Sequence, residues 1–473
     1  MAKSELVYEF LGSQNLNTTP IDITGLQGNT YDYKLVMFGD AVNNANEIRL
    51  TSNNDTTSNY RWYRMAARAA LAFANVDDSI SHVYLGNCKN KPTLLVCDIT
   101  GELGDERLIK SFAALADSAS ATELAKVSGY WKDTITEVQS LQLFTSNSVS
   151  NNYHIMLYRV PKAANQGNWE KVDELTWAAE TAEKSFTGLD GNRDKKYKVV
   201  WSGDDEPRIS INADQSVNYT VQELRNENGT IKSAPRSQSW LALDGIDASI
   251  IINAVSGQKR LCIGSASKGS GGAVDQGERA TWWGNTLNTL NTIELNIDNR
   301  TLVGTATLYR MKGNGETDGS LPWELIEEVD VSGDFSSGHT FSNLTGNSEK
   351  LFRVEFLGTT LANLQCRMNG DVAANQHITQ RLRGESSSTS ALQTITSSLL
   401  VSQTGSTGAT FDMVIYPKTG SQRPALSGYS SGENNISRNA HWYVNTVDEI
   451  TSILIDASST ATVTGKLKLW RLK

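Results

Sequence analysis

The run GYSSG at 428–432 matches Gly-x-Ser-x-Gly. That pattern can present a nucleophilic serine on a sharp strand-to-helix turn, with a histidine downstream to take its proton. His441 follows closely, but the motif sits in the Ser/Gly-rich stretch LSGYSSGENN with no alternating α/β pattern around it. A corresponding stretch, GSASKGSGG, lacks the motif, and its SKGSGG does not close with the Gly-Lys-Ser/Thr of a phosphate-binding loop. Serine hydrolysis and nucleotide binding are therefore not expected. No acidic pair stands out in the apolar runs as the two carboxylates of a glycosidase would. His82, His154, His339, His377 and His441 share no metal-ligand spacing. Cys88, Cys97, Cys262 and Cys366 form no C-x-x-C and are too sparse for a disulfide framework. The expectation is a chain with no catalytic residues, no metal and no cofactor, its thiols reduced and buried.

Two further groupings carry polar or aromatic chemistry, and both occur three times. Asn-x-Asp-x-x-x-Asn appears as NNDTTSN at 53–59, NADQSVN at 212–218 and NGDVAAN at 369–375. Its oxygens could converge on calcium, a hard cation that takes six to eight such ligands. With one carboxylate per copy and no later Glu at a fixed place, a turn braced by Asx side chains is the stronger expectation. The second grouping is an aromatic pair followed by Asp or Asn and Thr: YWKDT at 130–134, WWGNT at 282–286 and WYVNT at 442–446. Tyr130/Trp131, Trp282/Trp283 and Trp442/Tyr443 are either core anchors or stacking platforms for a sugar ring. Neighbours in a strand face opposite ways, so each pair is expected to send one ring into the core.

These groupings belong to a repeat. An aromatic-Glu step (Tyr8-Glu9, Trp169-Glu170, Trp323-Glu324) precedes Leu-x-Gly-Asn at 26–29, 189–192 and 344–347, by 18, 20 and 21 residues. Asn-x-Asp-x-x-x-Asn and the aromatic pair follow. An apolar-aromatic-Arg ending (LYR, LYR, LWR) then closes each copy, its Arg 28, 27 and 28 residues after the second aromatic. Five landmarks in fixed order define three units, 1–161, 169–312 and 323–473, joined by the short linkers PKAANQGN and KGNGETDGSLP. Such linkers leave adjacent units in contact.

The elements that carry the landmarks read as short β-strands. YDYKLVMF, SIIINAV, FDMVIY and TGKLKLW are bounded by turn residues, and KLKLW alternates as a half-buried strand does. RMAARAALAFA at 64–74 is Ala-rich and is expected to be a helix inserted in the first unit. DERLIKSFAALADSASATELAKV is a second helical candidate. The fold class is thus all-β: three tandem two-sheet β-sandwich domains of jelly-roll type, with a helical insertion in the first.

Composition agrees with a globular chain, at 39% hydrophobic and 20% charged residues. The net charge of −9 argues against nucleic acid as a partner. No apolar run is long enough to span a bilayer and none resembles a signal peptide, so synthesis in a cytoplasm without membrane association is expected.

RLTSNNDTTSNYRWYRM, RISINADQSVNYTVQEL and RMNGDVAANQHITQRL resemble a motif of tailed-bacteriophage virion proteins, in which Asn-Gly-Asp precedes a short spacer and Asn-Tyr. Such modules also end in strands carrying Leu-Tyr-Arg, as at 157–159 and 308–310. In the third copy Gln376 stands where Tyr60 and Tyr219 stand in the others. The resemblance implies a non-enzymatic virion structural protein, made in the host cytoplasm. Its role would be capsid decoration or a fibre, tail or baseplate component, assembling with other virion proteins and as a homo-oligomer. The alternative is a carbohydrate-binding adhesin of the tail that takes a host-surface glycan on its aromatic pairs.

Overall fold

The computed structural model describes residues 9–16, 20–41, 46–68, 71–88, 93–100, 107–116, 122–146, 151–161, 169–203, 205, 207–227, 230–238, 241–242, 247–256, 260–270, 273–298, 300–311, 323–385, 388–403, 405–420, 422–431 and 435–472. Among them are 36 strands and one single-turn helix, Gly191–Asp194.

The first twelve strands are β1 (Glu9–Leu16), β2 (Ile21–Thr24), β3 (Tyr31–Ala41), β4 (Asn46–Ser52), β5 (Tyr60–Arg68), β6 (Leu71–Ile80), β7 (Val83–Cys88), β8 (Thr93–Ile99), β9 (Arg107–Ala116), β10 (Thr122–Trp131), β11 (Ser140–Thr145) and β12 (Asn151–Pro161). They form an eight-stranded sheet in the order β1-β12-β3-β8-β9-β10-β5-β6 and a four-stranded sheet in the order β2-β11-β4-β7. Both sheets are antiparallel throughout. The twelve strands from Trp169 to Met311 pair in the same permutation, and so do the twelve from Trp323 to Leu472.

Alternation decides which face each side chain takes. Leu35 and Met37 of β3 and Ile155 and Leu157 of β12 meet Ile48 and Leu50 of β4 and Leu141 and Leu143 of β11, in one buried core between the large and small sheets. In the last strand, Thr462–Leu472, Leu467 and Leu469 enter the core of the third copy while Trp470 enters a cluster on the opposite face.

That opposite face is where the copies meet. Met65 of β5, Leu224 of Tyr219–Glu227 and Leu382 of His377–Glu385 belong to one buried cluster, although they come from three different copies. The three strands pack against one another in every pairing. Their hairpin partners, β6, Thr230–Gln238 and Ser388–Thr396, do the same. Three equivalent hairpins thus close a ring.

The ring explains why the Ala-rich segment is not a helix. Residues 64–68 lie in β5 and 71–74 in β6, and the described residues of DERLIKSFAALADSASATELAKV lie in β9 and β10. Every copy contains these strands, so among the described residues the first copy carries no helical insertion. In β5, Ala66 faces the inner core while Met65 and Ala67 face the neighbouring copies. A strand buried on both faces shows a near-continuous apolar run rather than alternation. Alanine suits it because sheets approach closely here, and its helix preference of under ~1 kcal/mol per residue is outweighed by packing.

Candidate functional site

The two recurrent groupings meet at the end where β10 finishes and β5 begins. Trp131 and Tyr60 are register partners across these strands, and their rings stack at 6.5 Å. The Trp131 indole N–H donates to Asp55 Oδ2 at 2.8 Å. Trp283 stacks on Tyr219 at 6.4 Å and donates to Asp214 Oδ2 at 2.8 Å. In the third copy Tyr443 stacks on His377 at 5.0 Å, and its hydroxyl donates to Asp371 Oδ2 at 3.2 Å. The Asp of one landmark is therefore the hydrogen-bond partner of the second aromatic of the other.

The same Asp holds its own loop. Asp55 Oδ1 accepts from Thr57 N at 2.9 Å, and Oδ2 also accepts from Asn59 Nδ2 at 2.9 Å. Asp214 accepts from Ser216 N and Asn218 Nδ2, and Asp371 from Ala373 N. Burial pushes the Asp55 carboxyl up, but the bonds from Thr57, Trp131 and Asn59 outweigh it and hold the pKa at about 2. Asp214 is also lowered, burial again being outweighed by Ser216, Asn218 and Trp283. The leading Asn ties this loop to the next. Asn53 Oδ1 accepts from Gln139 N and Ser140 N while its Nδ2 donates to Glu137 O. Asn212 and Asn369 bond the corresponding backbone at Thr289, Asn291 and Thr292, and at Glu449, Thr451 and Ser452. The carboxylate and amide oxygens accept N–H bonds from the protein, and Asn59 and Asn218 present nitrogen to the Asp. The arrangement is that of a braced turn and not of a cation cradle.

A buried arginine completes each clasp. Arg107 lies over Trp131 at 5.5 Å, Arg260 over Trp283 at 4.7 Å and Arg423 over Tyr443 at 5.2 Å. Each donates through its two terminal nitrogens to backbone carbonyls of the loop after the aromatic pair: Asp133 and Thr136, Asn285 and Asn288, Asn445 and Asp448. That loop is capped from within, since Asp133, Asn285 and Asn445 each accept from the backbone N–H groups two and three residues on. Burial lowers the pKa of Arg260 and Arg423. These arginines were missed as a landmark, though each opens its strand: β9, Arg260–Ser270 and Arg423–Ser431.

Five of the six rings of the aromatic pairs are interior. Tyr130, Trp131, Trp283, Trp442 and Tyr443 are at most 1% exposed, so no face of these rings is open to a sugar. Trp282 lies in the strand Ala273–Trp283, and its side chain is outside the described residues. Tyr130 packs edge-on against Tyr63, and Trp442 joins the cluster between copies. The third copy also corrects the alignment by spacing. His377 and not Gln376 opens the strand and takes the place of Tyr60 and Tyr219, because the loop is one residue longer. Tyr60 and Tyr219 hydroxyls accept from Ser52 N and Ile211 N, whereas both ring nitrogens of His377 are buried without a partner.

GYSSG lies mostly within the strand Arg423–Ser431, not on a strand-to-helix elbow. His441 bonds Ser427 Oγ through Nε2 at 2.7 Å and Thr379 Oγ1 through Nδ1 at 2.9 Å, and Asn439 Nδ2 donates to the same Ser427. Ser427 precedes the motif. Burial, with His377 nearby, pulls the His441 pKa to about 3. All three partners of this imidazole network are closed off from solvent, so it braces the sheet and has no access to a substrate. Cys97, Cys262 and Cys366 are buried free thiols raised by burial.

No family model and no curated protein matches the chain. Among solved structures it is similar to exo-inulinase from Aspergillus awamori, with 7% identity and a TM-score of 0.20 over 86% of this chain and 96% of that one. It is also similar to a mutant of the GH43 protein BlXynB from Bacillus licheniformis (8%, TM-score 0.14, 89% and 100% covered) and to a mutant Rh. blastica porin (8%, TM-score 0.10, 86% and 99% covered). Likenesses this slight carry no argument about fold or function.

Proposed function

We propose that the chain is a non-enzymatic structural component of a tailed-phage virion, built from three tandem jelly-roll-like domains and assembling with other virion proteins as capsid decoration or as part of the tail. The observation that carries this reading is the thrice-built clasp. In each copy the recurrent polar and aromatic residues are engaged in bracing two loops against the sheet, leaving a rigid module rather than a reactive one. Rigid modules closed in a ring suit a part that must hold its shape under load. The phage-like motifs fall on this clasp, so the resemblance and the rigidity concern the same residues. The adhesin reading loses its aromatic platform, because five of the six rings it needs are buried.

The test is the number of copies of this chain per purified particle, by quantitative mass spectrometry against the major capsid protein. Hundreds of copies place it on the capsid, and a few to a few dozen place it in the tail or neck. Its absence from particles ends the virion reading.

A further inference from the structure

One position on the inner face of the large sheet is charged in all three copies, and its charge is not answered in the same way in each. It stands four residues after Tyr60, Tyr219 and His377, at Arg64, Glu223 and Arg381. In the first copy Arg64 Nη1 lies 3.5 Å from Glu123 Oε1 and donates to the Tyr84 hydroxyl at 2.7 Å. In the second, register sets Glu223 opposite Arg279, their side chains lying outside the described residues. In the third, register puts Asn435 where Glu123 stands and sets Asn439 opposite Arg381. Neither can neutralise a cation. Asn435 Oδ1 accepts from Arg383 Nε at 3.3 Å. Asn439 Oδ1 accepts from Ser437 Oγ at 2.9 Å, and its Nδ2 donates to Ser427 Oγ at 3.1 Å.

Arg381 is therefore a buried cation whose countercharge the fold does not supply. It is 7% exposed, its Nε has no hydrogen-bond partner, and among the described residues no carboxylate forms an ion pair with it. Ile378 and Leu382 face the other copies, so alternation turns Arg381 and Arg383 into the core of their own copy. There they lie beside the Tyr429 hydroxyl, which is buried and has no hydrogen-bond partner either. Register gives Ala113 and Ala266 at the place of Tyr429, so the phenol belongs to the third copy alone. His441, on the same face, is neutral. Glu385 is four residues from Arg381, about 13 Å along the strand, and its side chain is outside the described residues. Arg383, between the two, is partly exposed, so the group opens toward that end of the strand.

We infer that the third copy binds one small oxyanion of the phosphate class between Arg381, Arg383 and Tyr429, the ligand supplying the negative charge that Glu123 supplies to Arg64. An unanswered buried charge is strongly unfavourable, so an anion that reaches it stabilises the fold. Guanidinium forks and a phenol hydroxyl present donors in fixed directions, which suits oxygen acceptors over a bare halide.

The experiment titrates the full-length chain with sodium phosphate in a calorimeter, ionic strength being held constant with chloride. The expected result is one phosphate per chain, displaced by sulfate, with a thermal midpoint raised by about 3 °C or more at roughly a hundredfold excess over Kd. Arg381→Gln should weaken binding by about tenfold or more. Asn435→Glu places the carboxylate of the first copy in the third. It should abolish phosphate binding and give, without phosphate, the midpoint that wild type reaches with it. The absence of saturable binding overturns the inference, as do three phosphates per chain, equal competition by chloride, or wild-type affinity in Arg381→Gln. If wild type binds no phosphate and Glu385→Gln does, the arginines are neutralised within the chain and the inference falls.

Discussion

Trp131 and Trp283 bond an Asp that is at the same time the anchor of its loop, so one N–H couples two turns. Trp131→Phe keeps the ring but removes the donor to Asp55. It is expected to cost about 1.5 kcal/mol in urea unfolding, the worth of a hydrogen bond to a charged group, and to raise the Asp55 pKa in an NMR titration. No change in either would mean that the bond does not act. The third copy places a titratable ring where the others have tyrosine. Burial holds His377 at about 4 and His441 at about 3, below the ordinary value of 6.5, so both are neutral in the fold. The unfolded chain takes up these protons below pH ~6.5. The stability they allow is complete above that pH and falls as the pH drops toward 4 and 3, by about 1.4 kcal/mol per pH unit for each. His82 and His154 of the first copy shift the same way but are only half-buried. The Asp55 carboxylate contributes above its unfolded pKa, and its share disappears only as pH falls through about 2. His377→Tyr puts in the residue that holds this position in the other two copies, where the Tyr219 hydroxyl accepts from Ile211 N. Urea unfolding from pH 7 to 4.5 should then show a slope smaller by the share of one histidine, up to about 1.4 kcal/mol per pH unit, and an unchanged slope would contradict the assignment.

At the scale of the element, close approach of the two sheets sets which residues a strand tolerates. A Cβ on Gly129 of β10 would lie 2.2 Å from Val83 Cγ1 of β7. Gly129→Ala should cost about 1–3 kcal/mol as an overpacked core does. Adding Val83→Ala should recover most of that loss in chemical denaturation, and the absence of recovery would place the strain elsewhere. The same closeness explains what the sequence did and did not reveal. Strands that alternate, such as the one holding Leu467 and Leu469, were legible because over Thr462–Leu469 one face is core and the other reaches solvent, before Trp470 and Leu472 turn into the cluster between copies. Residues 64–74 were not, because β5 is covered on both faces by partners far along the chain, and a local Ala-rich pattern contains no trace of them. The landmarks themselves were legible as a repeat. Their joint use was not, since Asp55 and Trp131 are 76 residues apart and the bond between them is a fact of pairing, not of spacing. The one-residue slip that puts His377 in place of Gln376 was hidden for the same reason: register is fixed by β-pairing.

For the whole molecule, the ring of hairpins makes stability a shared property. Leu224 is fully buried among residues of the other two copies. Leu224→Asp places a charge in that cluster and leaves the inner core of its own copy intact. Calorimetry should show the wild type unfolding in one transition and the variant in two or more, with the clasps still protected from hydrogen exchange below the first. A single transition merely shifted in temperature would mean that the copies are coupled elsewhere. Joining three modules in one reading frame has a genetic consequence as well. In an assembly of three identical subunits every mutation is written three times. Here Tyr60, Tyr219 and His377 occupy one structural position yet are encoded separately, so a single codon can give one third of the ring a different acid response and leave the other two thirds unchanged.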